Sequence, residues 1–323
     1  MHSSCVVALD VGGTAMKGAV VETDGDQVTV RARKSYATDP EAGYDAVVER
    51  IGDAFEELAA LAPGLGLEAP SAAGLAVPGI VDDRRGVAVV AANLPFENAP
   101  LVAPLAARLG IPVALGHDVR AGGLAESVQG AAKGAENSLF LPLGTGIAGA
   151  FIVDGRPIVA GGYVGEIGHI AVEPDGEPCP CGGRGCLERV ASASGVARRY
   201  ARRAGVTVDG AADVAARVRA GDPIAEEVWD EAVDALARAL HTAVTLLGPE
   251  VVVIGGGLAE SGELLLEPLR SRLDAALTFQ RRPTVTRAVL GDQAGCLGAA
   301  LLARDLRRRV ARDADGGAEG SRA

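Results

Sequence analysis

The alternation of apolar and polar positions predicts strands and helices along the whole chain. Short apolar runs bounded by glycine or proline are typical of buried strands, whereas apolar residues three or four positions apart are typical of helices. The predicted strands cover residues 5–11, 18–21, 28–33, 73–77, 87–91, 112–115, 141–143, 149–152, 250–254 and 284–290. The predicted helices cover residues 41–61, 101–109, 119–132, 194–204, 212–220, 224–247, 262–277 and 294–309. This order predicts an α/β architecture with mixed sheets.

The first two strands are joined by Gly12-Gly13-Thr14, which leaves no room for a helix. We therefore interpret them as a hairpin and not as the strand-to-helix step of a Rossmann or P-loop site. Residues 141–152 repeat this arrangement, with Gly144-Thr145-Gly146 at the turn. Such internal similarity predicts two related lobes that each carry one glycine turn. The alternative is a chance similarity between two glycine hairpins.

Composition and charge argue against several classes of protein. The 323 residues are enough for two domains of ordinary size. A net charge of −11 and an aromatic content of only 3% argue against a surface for nucleic acid or an anionic membrane. No apolar stretch of about 18 residues is present, so no transmembrane helix is expected. We expect a cytoplasmic protein without nucleic-acid or membrane partners, ending in a disordered tail over residues 311–323.

Three of the five cysteines lie within residues 161–189. Together with His169, the thiols of Cys179, Cys181 and Cys186 make up the ligand set of a tetrahedral structural zinc site. Two alternatives are a zinc knuckle that only stabilises its loop, and a disulfide. The disulfide is disfavoured because the number of cysteines is odd and no signal peptide is apparent. Glu166 and Glu188 lie beside this cluster, are not needed as metal ligands, and are free to bind something else.

Glycine turns after strands expose backbone N–H groups to a polyanion, and a threonine hydroxyl adds a donor. Two such turns in two lobes could bind the phosphates of a nucleotide, and Asp10 beside the first turn could hold hydrated Mg²⁺. Taken singly, each turn is more often only a tight hairpin. Asp118 follows a predicted strand and is a candidate general base for a sugar hydroxyl. The alternative for Asp118 is the N-cap of the next helix.

Four segments together, at residues 10–14, 144–146, 165–169 and 179–188, resemble the ROK family of bacterial sugar kinases and sugar-responsive repressors. The pair Glu-x-Gly-His and Cys-x-Cys-Gly-x-x-Gly-Cys-x-Glu is the most specific part, and the resemblance extends from Asp10 to about residue 295. It implies ATP-dependent phosphorylation of a hexose hydroxyl, usually the 6-hydroxyl of glucose.

The resemblance also implies a two-lobed, actin-like ATPase (ribonuclease H-like) fold with a cleft between the lobes. The small lobe would comprise residues 1–117, completed by the C-terminal helix at 294–310, and the large lobe would comprise residues 118–293 with the zinc site. The implied cofactors are ATP, Mg²⁺ and structural Zn²⁺. A homo-oligomer, either a dimer or a tetramer, is common in such families.

Roles in the family carry over to residues at matching positions. Asp118 is the implied catalytic base, and His169 serves both sites because one ring nitrogen faces the metal while the other faces the sugar. The implied sugar-binding residues are Gly79, Asn93, His117, Asp118, Glu166, His169 and Glu188. The implied nucleotide-binding residues are Asp10, Gly12, Gly13, Thr14, Lys17, Gly144, Thr145, Gly146, Gly255, Gly256 and Gly257.

One position departs from the family pattern. The usual Glu-Asn-Asp-Ala-Asn around the base is Gly116-His117-Asp118-Val119-Arg120 here, and an imidazole cannot reproduce the paired donor and acceptor of an amide. His117 either contacts the sugar or satisfies a neighbouring backbone group. The sugar therefore stays open among glucose, N-acetylmannosamine, N-acetylglucosamine, fructose and allose, and the donor between ATP and polyphosphate.

Two functions without kinase activity are also considered. ROK repressors carry a winged-helix region before the first strand, whereas Asp10 here follows nine residues in an acidic chain, which argues against DNA binding. A non-catalytic sugar-binding protein is disfavoured because Asp118 and both glycine turns are present.

Overall fold

Each of two structural units is built on its own five-stranded sheet in the computed structural model, which describes residues 4–25 and 27–319. Unit 1 comprises residues 1–125, 159–164 and 293–323, and unit 2 comprises residues 126–158 and 165–292. This division differs from the predicted boundary after residue 117, since the first half of the helix that begins there belongs to unit 1. The short segment 159–164 was not predicted to leave unit 2.

All predicted strands and helices are present in the predicted order, and three further strands (residues 80–82, 97–100 and 156–157) and one further helix (residues 187–191) were not predicted. The strands are β1 (Ser4–Val11), β2 (Ala15–Asp24), β3 (Gln27–Ala37), β4 (Ala73–Val77), β5 (Ile80–Asp82), β6 (Val87–Val90), β7 (Glu97–Pro100), β8 (Val113–His117), β9 (Ser138–Pro142), β10 (Ala150–Val153), β11 (Arg156–Pro157), β12 (Val251–Gly255) and β13 (Thr284–Arg287). The helices are α1 (Tyr44–Leu61), α2 (Val102–Leu109), α3 (Asp118–Gln129), α4 (Leu187–Ala191), α5 (Ala193–Ala204), α6 (Ala211–Arg219), α7 (Pro223–Leu247), α8 (Glu263–Ala276) and α9 (Ala294–Glu319).

In unit 1 the sheet order is β3-β2-β1-β4-β8. The β1–β2 pair is an antiparallel hairpin, as predicted, whereas β1, β4 and β8 are mutually parallel. One face of the sheet is covered by α9, which packs so closely on β4 that a side chain at Gly74 would overlap with the carbonyl of Ala299. On β1 and in α1, Leu9, Ile51 and Phe55 are fully buried and form part of the core. The C-terminal helix therefore completes the first sheet, since burying an apolar sheet face is the main source of its stability.

In unit 2 the sheet order is β11-β10-β9-β12-β13. Two antiparallel pairs, β9–β10 and β10–β11, are followed by the parallel pairs β9–β12 and β12–β13, so the order and directions match those in unit 1. This agrees with the internal repeat predicted from the two glycine turns. The long helix α7 contributes Leu236 and Leu240 to the core and packs against α4, α6 and α8.

The C-terminal segment differs from its prediction. A disordered tail was expected from residue 311, but α9 continues to Glu319, and residues 320–323 lie outside the described part of the chain. Alanine and arginine predominate after Leu306, and both have a high helix propensity, so they extend a helix that is already anchored at its N-terminal half. None of the helices described over residues 4–25 and 27–319 is long and apolar enough to cross a bilayer.

Candidate active and metal sites

The predicted residues of unit 1 lie at the carboxyl ends of its parallel strands. Asp10 of β1 is in register with Ala76 of β4, which is in register with Gly116 of β8, the residue two positions before Asp118. Ligands of open α/β sheets bind beyond such strand ends. The sheet thus brings both predicted carboxylates to one edge, although they are more than 100 residues apart in sequence. Lys17 lies directly opposite Asp10 in the β1–β2 register.

The first glycine turn is held by backbone and by one hydroxyl. Gly12 donates its N–H to the carbonyl of Ala15 at 3.0 Å and accepts the Thr38 hydroxyl at 2.7 Å. Gly13 packs against Asn93, the predicted sugar-binding residue, so closely that a Cβ atom at Gly13 would lie 3.0 Å from the Asn93 Cβ. Gly79 adopts a φ of +92° in the turn between β4 and β5, beside Val90. Predicted phosphate and sugar residues are therefore neighbours within unit 1.

A residue without a predicted role, Gly295, lies in the first turn of α9 against the carboxylate of Asp10. A side chain at this position would overlap with both oxygens of Asp10. In the sequence, Gly295 marks only the approximate end of the family resemblance. The adjacent Cys296 is buried, as predicted, and burial, aided by the charge of Asp10, raises the pKa of its thiol to about 12.

Asp118 is the first residue of α3, and its side chain is 33% exposed. Its Oδ1 accepts the N–H of Val119 at 2.6 Å and lies 3.3 Å from Nε2 of His117. The other ring nitrogen of His117, Nδ1, accepts the N–H of Arg120 at 3.4 Å. His117 therefore provides the side-chain cap of α3 that the sequence suggested as an alternative role for Asp118.

His117 and Arg120 are both buried. Burial holds the pKa of His117 below its usual range; the charge of Asp118 opposes this effect and that of Arg120 adds to it. The Arg120 guanidinium donates to the carbonyls of Val81 and Gly162 at 3.3 and 3.2 Å. Arg120 thus fixes the first turn of α3 to the segment 159–164 within unit 1.

In unit 2 the two predicted nucleotide turns lie side by side. The β9–β12 register places Pro142 opposite Gly255. Leu143 donates its N–H to the Gly255 carbonyl at 2.8 Å and accepts the N–H of Leu258 at 3.1 Å. The turns at residues 144–146 and 255–257 consequently extend from the same edge of the second sheet.

The turn at residues 144–146 is held by the chain around α4. Oε2 of Glu188 accepts the N–H of Ile147 at 2.9 Å, and a side chain at Gly146 would lie 2.6 Å from that oxygen. Ala193 donates its N–H to the Gly144 carbonyl at 2.8 Å, and the Ser194 hydroxyl donates to the Thr145 carbonyl at 2.5 Å. Glu188, a predicted sugar ligand, is therefore in direct contact with a predicted phosphate turn.

His169, Cys179, Cys181 and Cys186 form a cluster whose ligand atoms all lie within 4.8 Å of one another. Cys181 Sγ is 3.6 Å from Cys186 Sγ, and Cys179 Sγ is 3.8 Å from His169 Nδ1. Ligands about 2.3 Å from a tetrahedral metal ion are roughly 3.8 Å apart, so these spacings fit such an ion. They are far too long for the disulfide bond that the sequence left open.

His169 presents its two ring nitrogens to different partners. Nδ1 faces Cys179, whereas Nε2 lies 3.9 Å from Oε2 of Glu166. Both Glu166 and His169 are exposed. This geometry is the one expected if one nitrogen binds a metal and the other faces a ligand beside Glu166.

Comparison with known proteins gives a consistent set of relatives. The model of the ROK family matches residues 6–306. The glucokinase of Thermotoga maritima is 34% identical over 317 residues, covering 93% of this chain and 97% of that protein. The DNA-binding transcriptional dual regulator NagC of Escherichia coli is 31% identical over 239 residues, covering 71% of this chain and 59% of the regulator.

Two solved structures superpose on nearly the whole chain. The ROK hexokinase from Thermus thermophilus is 35% identical, with a TM-score of 0.81, and the match covers 94% of this chain and 99% of that one. A ROK family glucokinase from Streptomyces griseus, in complex with glucose and AMPPNP, is 30% identical, with a TM-score of 0.77 and coverage of 94% and 100%. The α/β architecture described above is therefore the actin-like ATPase fold, and the predicted fold class is confirmed.

Proposed function

This chain belongs to the ROK family, and from that premise we propose that it is an ATP-dependent sugar kinase that phosphorylates the 6-hydroxyl of glucose. The glucokinase of Thermotoga maritima and the Streptomyces griseus enzyme with bound glucose support glucose as the substrate. The observation that carries the proposal is made at the carboxyl ends of the parallel strands of the first sheet. Asp10 lies near the end of β1, and Asp118 directly follows β8.

Asp118 is proposed to act as the general base. Within residues 4–25 and 27–313, its Oδ1 takes both of the contacts described above and its Oδ2 takes none. Oδ2 is therefore available to accept the proton of the sugar hydroxyl as that oxygen attacks the γ-phosphorus, with ADP as the leaving group.

Backbone N–H groups of the two glycine turns would bind and orient the phosphates, with Asp10 and Lys17 beside the first turn. When bound near Asp10, Mg²⁺ would supply positive charge to the phosphate oxygens of the nucleotide. Gly295 permits this role because it leaves the Asp10 carboxylate room at the start of α9.

The four-residue cluster is proposed to hold a structural zinc ion through His169, Cys179, Cys181 and Cys186. The ion would stabilise the loop that carries Glu166, His169 and Glu188, which are proposed to bind the sugar hydroxyls with Asn93. Because Oε2 of Glu188 already accepts the N–H of Ile147, the other oxygen would face the sugar.

A sugar-sensing regulator is the alternative from another functional class. Its support is the similarity to NagC, but that match spans only about three fifths of the regulator. A kinase is favoured because a regulator needs neither a carboxylate with an available oxygen at position 118 nor two braced phosphate turns. We expect a cytoplasmic location, where ATP is plentiful, and a homo-oligomer remains a prediction.

The deciding experiment measures ADP release for the purified protein with ATP and Mg²⁺ over a panel of sugars. The panel contains glucose, mannose, fructose, allose, N-acetylglucosamine and N-acetylmannosamine, and polyphosphate replaces ATP in a parallel series with phosphosugar as the readout. We expect the highest kcat/KM with glucose and ATP, and phosphorus NMR should identify glucose 6-phosphate. A preference for another sugar would change the substrate, and no phosphorylation of any sugar would overturn the proposed function.

A further inference from the structure

His117 occupies the position at which the family resemblance implies a sugar contact, but its surroundings favour another role. The side chain is only 7% exposed, and both ring nitrogens already have partners within unit 1. Nδ1 faces the N–H of Arg120, and Nε2 faces Oδ1 of Asp118. A sugar hydroxyl that bound either nitrogen would have to displace one of these partners.

The two contacts determine which nitrogen carries the proton. A nitrogen that accepts an N–H must present a lone pair, so Nδ1 is unprotonated and Nε2 carries the hydrogen in the neutral ring. Burial lowers the pKa of His117 and favours this neutral form. The Nε2–H group then faces Oδ1 of Asp118, with 3.3 Å between the nitrogen and the oxygen.

We infer that His117 is a positioning residue for the general base and not a sugar ligand. Its Nε2–H and the N–H of Val119 both engage Oδ1 of Asp118, so that Oδ2 is the oxygen that receives the proton from the sugar hydroxyl. This inference rests on the proposed kinase function, and it names a residue that controls the orientation of the base.

The surroundings make His117 a firm support. It is the last residue of β8 and lies in register with Val77 of β4, so its backbone is fixed by the sheet. Its partner Arg120 is fixed in turn by hydrogen bonds to the carbonyls of Val81 and Gly162. A carboxylate held by such a support keeps one geometry before the substrate arrives, which lowers the cost of reaching the reactive arrangement.

Two substitutions test the donor role of His117. In His117→Gln, the amide nitrogen reaches about as far as Nε2 and can donate to Asp118. In His117→Leu, the side chain can neither accept the N–H of Arg120 nor donate to Asp118, so it differs from His117→Gln in lacking the donor. Wild type and both variants are compared by kcat and KM for the preferred sugar, by sugar affinity from calorimetry without nucleotide, and by melting temperature.

If His117 positions the base, His117→Leu lowers kcat by roughly ten- to a hundredfold, while the sugar affinity stays within about twofold of wild type. His117→Gln keeps kcat within about fivefold of wild type. If His117 binds the sugar, both variants instead change KM and calorimetric affinity while kcat is retained, which overturns the inference. Unchanged kinetics in both variants also overturn it.

Two controls keep the outcomes separate. If His117→Leu melts well below wild type, His117→Gln decides alone: retained kcat and sugar affinity support the inference, and a loss of affinity contradicts it. An inactive wild type would overturn the proposed function itself, and this is measured first on the sugar panel.

Discussion

The two units support their parts of the candidate site by different means. In unit 1, Asp10 lies in β1, which pairs with β2 and β4, and Asp118 directly follows β8, which pairs with β4 at the edge of the sheet. In unit 2, Glu166 and His169 stand on a segment between β11 and α4 that is held by backbone hydrogen bonds and contains the cysteine–histidine cluster. The carboxylates of Asp10 and Asp118 and the side chains of Glu166 and His169 should therefore depend on different stabilising interactions.

The same contrast applies to the two glycine turns. The strands around the two turns share one topology. The first turn is held by Thr38, which directly follows β3. The second turn is held by Glu188, Ala193 and Ser194. These three residues directly follow the cysteine–histidine loop in sequence. If the cluster holds the proposed zinc ion, loss of that ion should therefore disturb the second turn and leave the first one intact.

The largest effect is expected for Asp118→Asn. An amide cannot accept the proton of the sugar hydroxyl, so kcat should fall by about 10²- to 10⁴-fold, with glucose binding by calorimetry retained. Metal content, which depends on unit 2, should not change. The matched control is Asp45→Asn, which removes an exposed carboxylate at the start of α1. A kcat near the wild-type value would remove Asp118 from its assigned role.

Cys181→Ser tests the cysteine–histidine cluster of unit 2. Replacing one of three thiolates should reduce bound zinc, lower the melting temperature by more than about 5 °C, and raise the KM for sugar. Zinc is measured by plasma mass spectrometry and melting by calorimetry. Cys296→Ala, which removes a buried thiol outside the cluster, should keep its zinc. Full zinc content and unchanged melting in Cys181→Ser would show that the cluster does not hold a stabilising metal.

Gly295→Ala should disturb only the part of the proposed nucleotide site around Asp10 in unit 1. Its methyl group would overlap with the Asp10 carboxylate, and overpacking of this kind typically costs about 1–3 kcal/mol. We expect a lower kcat/KM for ATP and a higher Mg²⁺ requirement, with the affinity for sugar nearly unchanged. Gly64→Ala is the control, because a side chain there meets no atom within 4 Å. Equal kinetics in the two variants would mean that Asp10 tolerates displacement.

Ser194→Ala should give the smallest effect. It removes the hydroxyl that donates to the Thr145 carbonyl, a hydrogen bond with a net contribution of about 1 kcal/mol. The KM for ATP should rise a few-fold while kcat stays close to wild type. Ser271→Ala, on the exposed side of α8, provides the comparison. A changed affinity for sugar without a change for ATP would contradict the role of this turn in nucleotide binding.

Local sequence patterns predicted much of this architecture. The glycine and threonine residues at positions 12–14 allowed a hairpin and excluded a helix, and antiparallel pairing of β1 with β2 is observed over the whole of β1. The cysteine and histidine spacing likewise predicted a cluster that the structure brings together. Both features are short-range, because the residues that define them are close in sequence.

Individual contacts between distant parts of the chain were not predicted, although the family resemblance implied that the C-terminal helix completes the small lobe. Gly295 approaches Asp10 only because α9 packs on the first sheet, and nothing near residue 295 indicates this contact. Arg120 binds the carbonyl of Gly162, a partner 42 residues away. The sequence allowed His117 either to contact the sugar or to satisfy a neighbouring backbone group. Only the structure shows that this backbone group is the N–H of Arg120. Sequence patterns thus identified the candidate functional side chains, and the fold determined which residues contact them.

The discontinuous course of the chain has a consequence for biosynthesis. Unit 2 is complete once residue 292 has been made, whereas the first sheet acquires its covering helix α9 only after residues 294–319 have been made. The unit whose sheet is synthesised earlier is therefore the unit that matures later, contrary to the usual order in which N-terminal domains fold first. Until α9 has been made, the nascent chain exposes the apolar sheet face of β1, β4 and β8, and it is then most prone to aggregate and most in need of a chaperone.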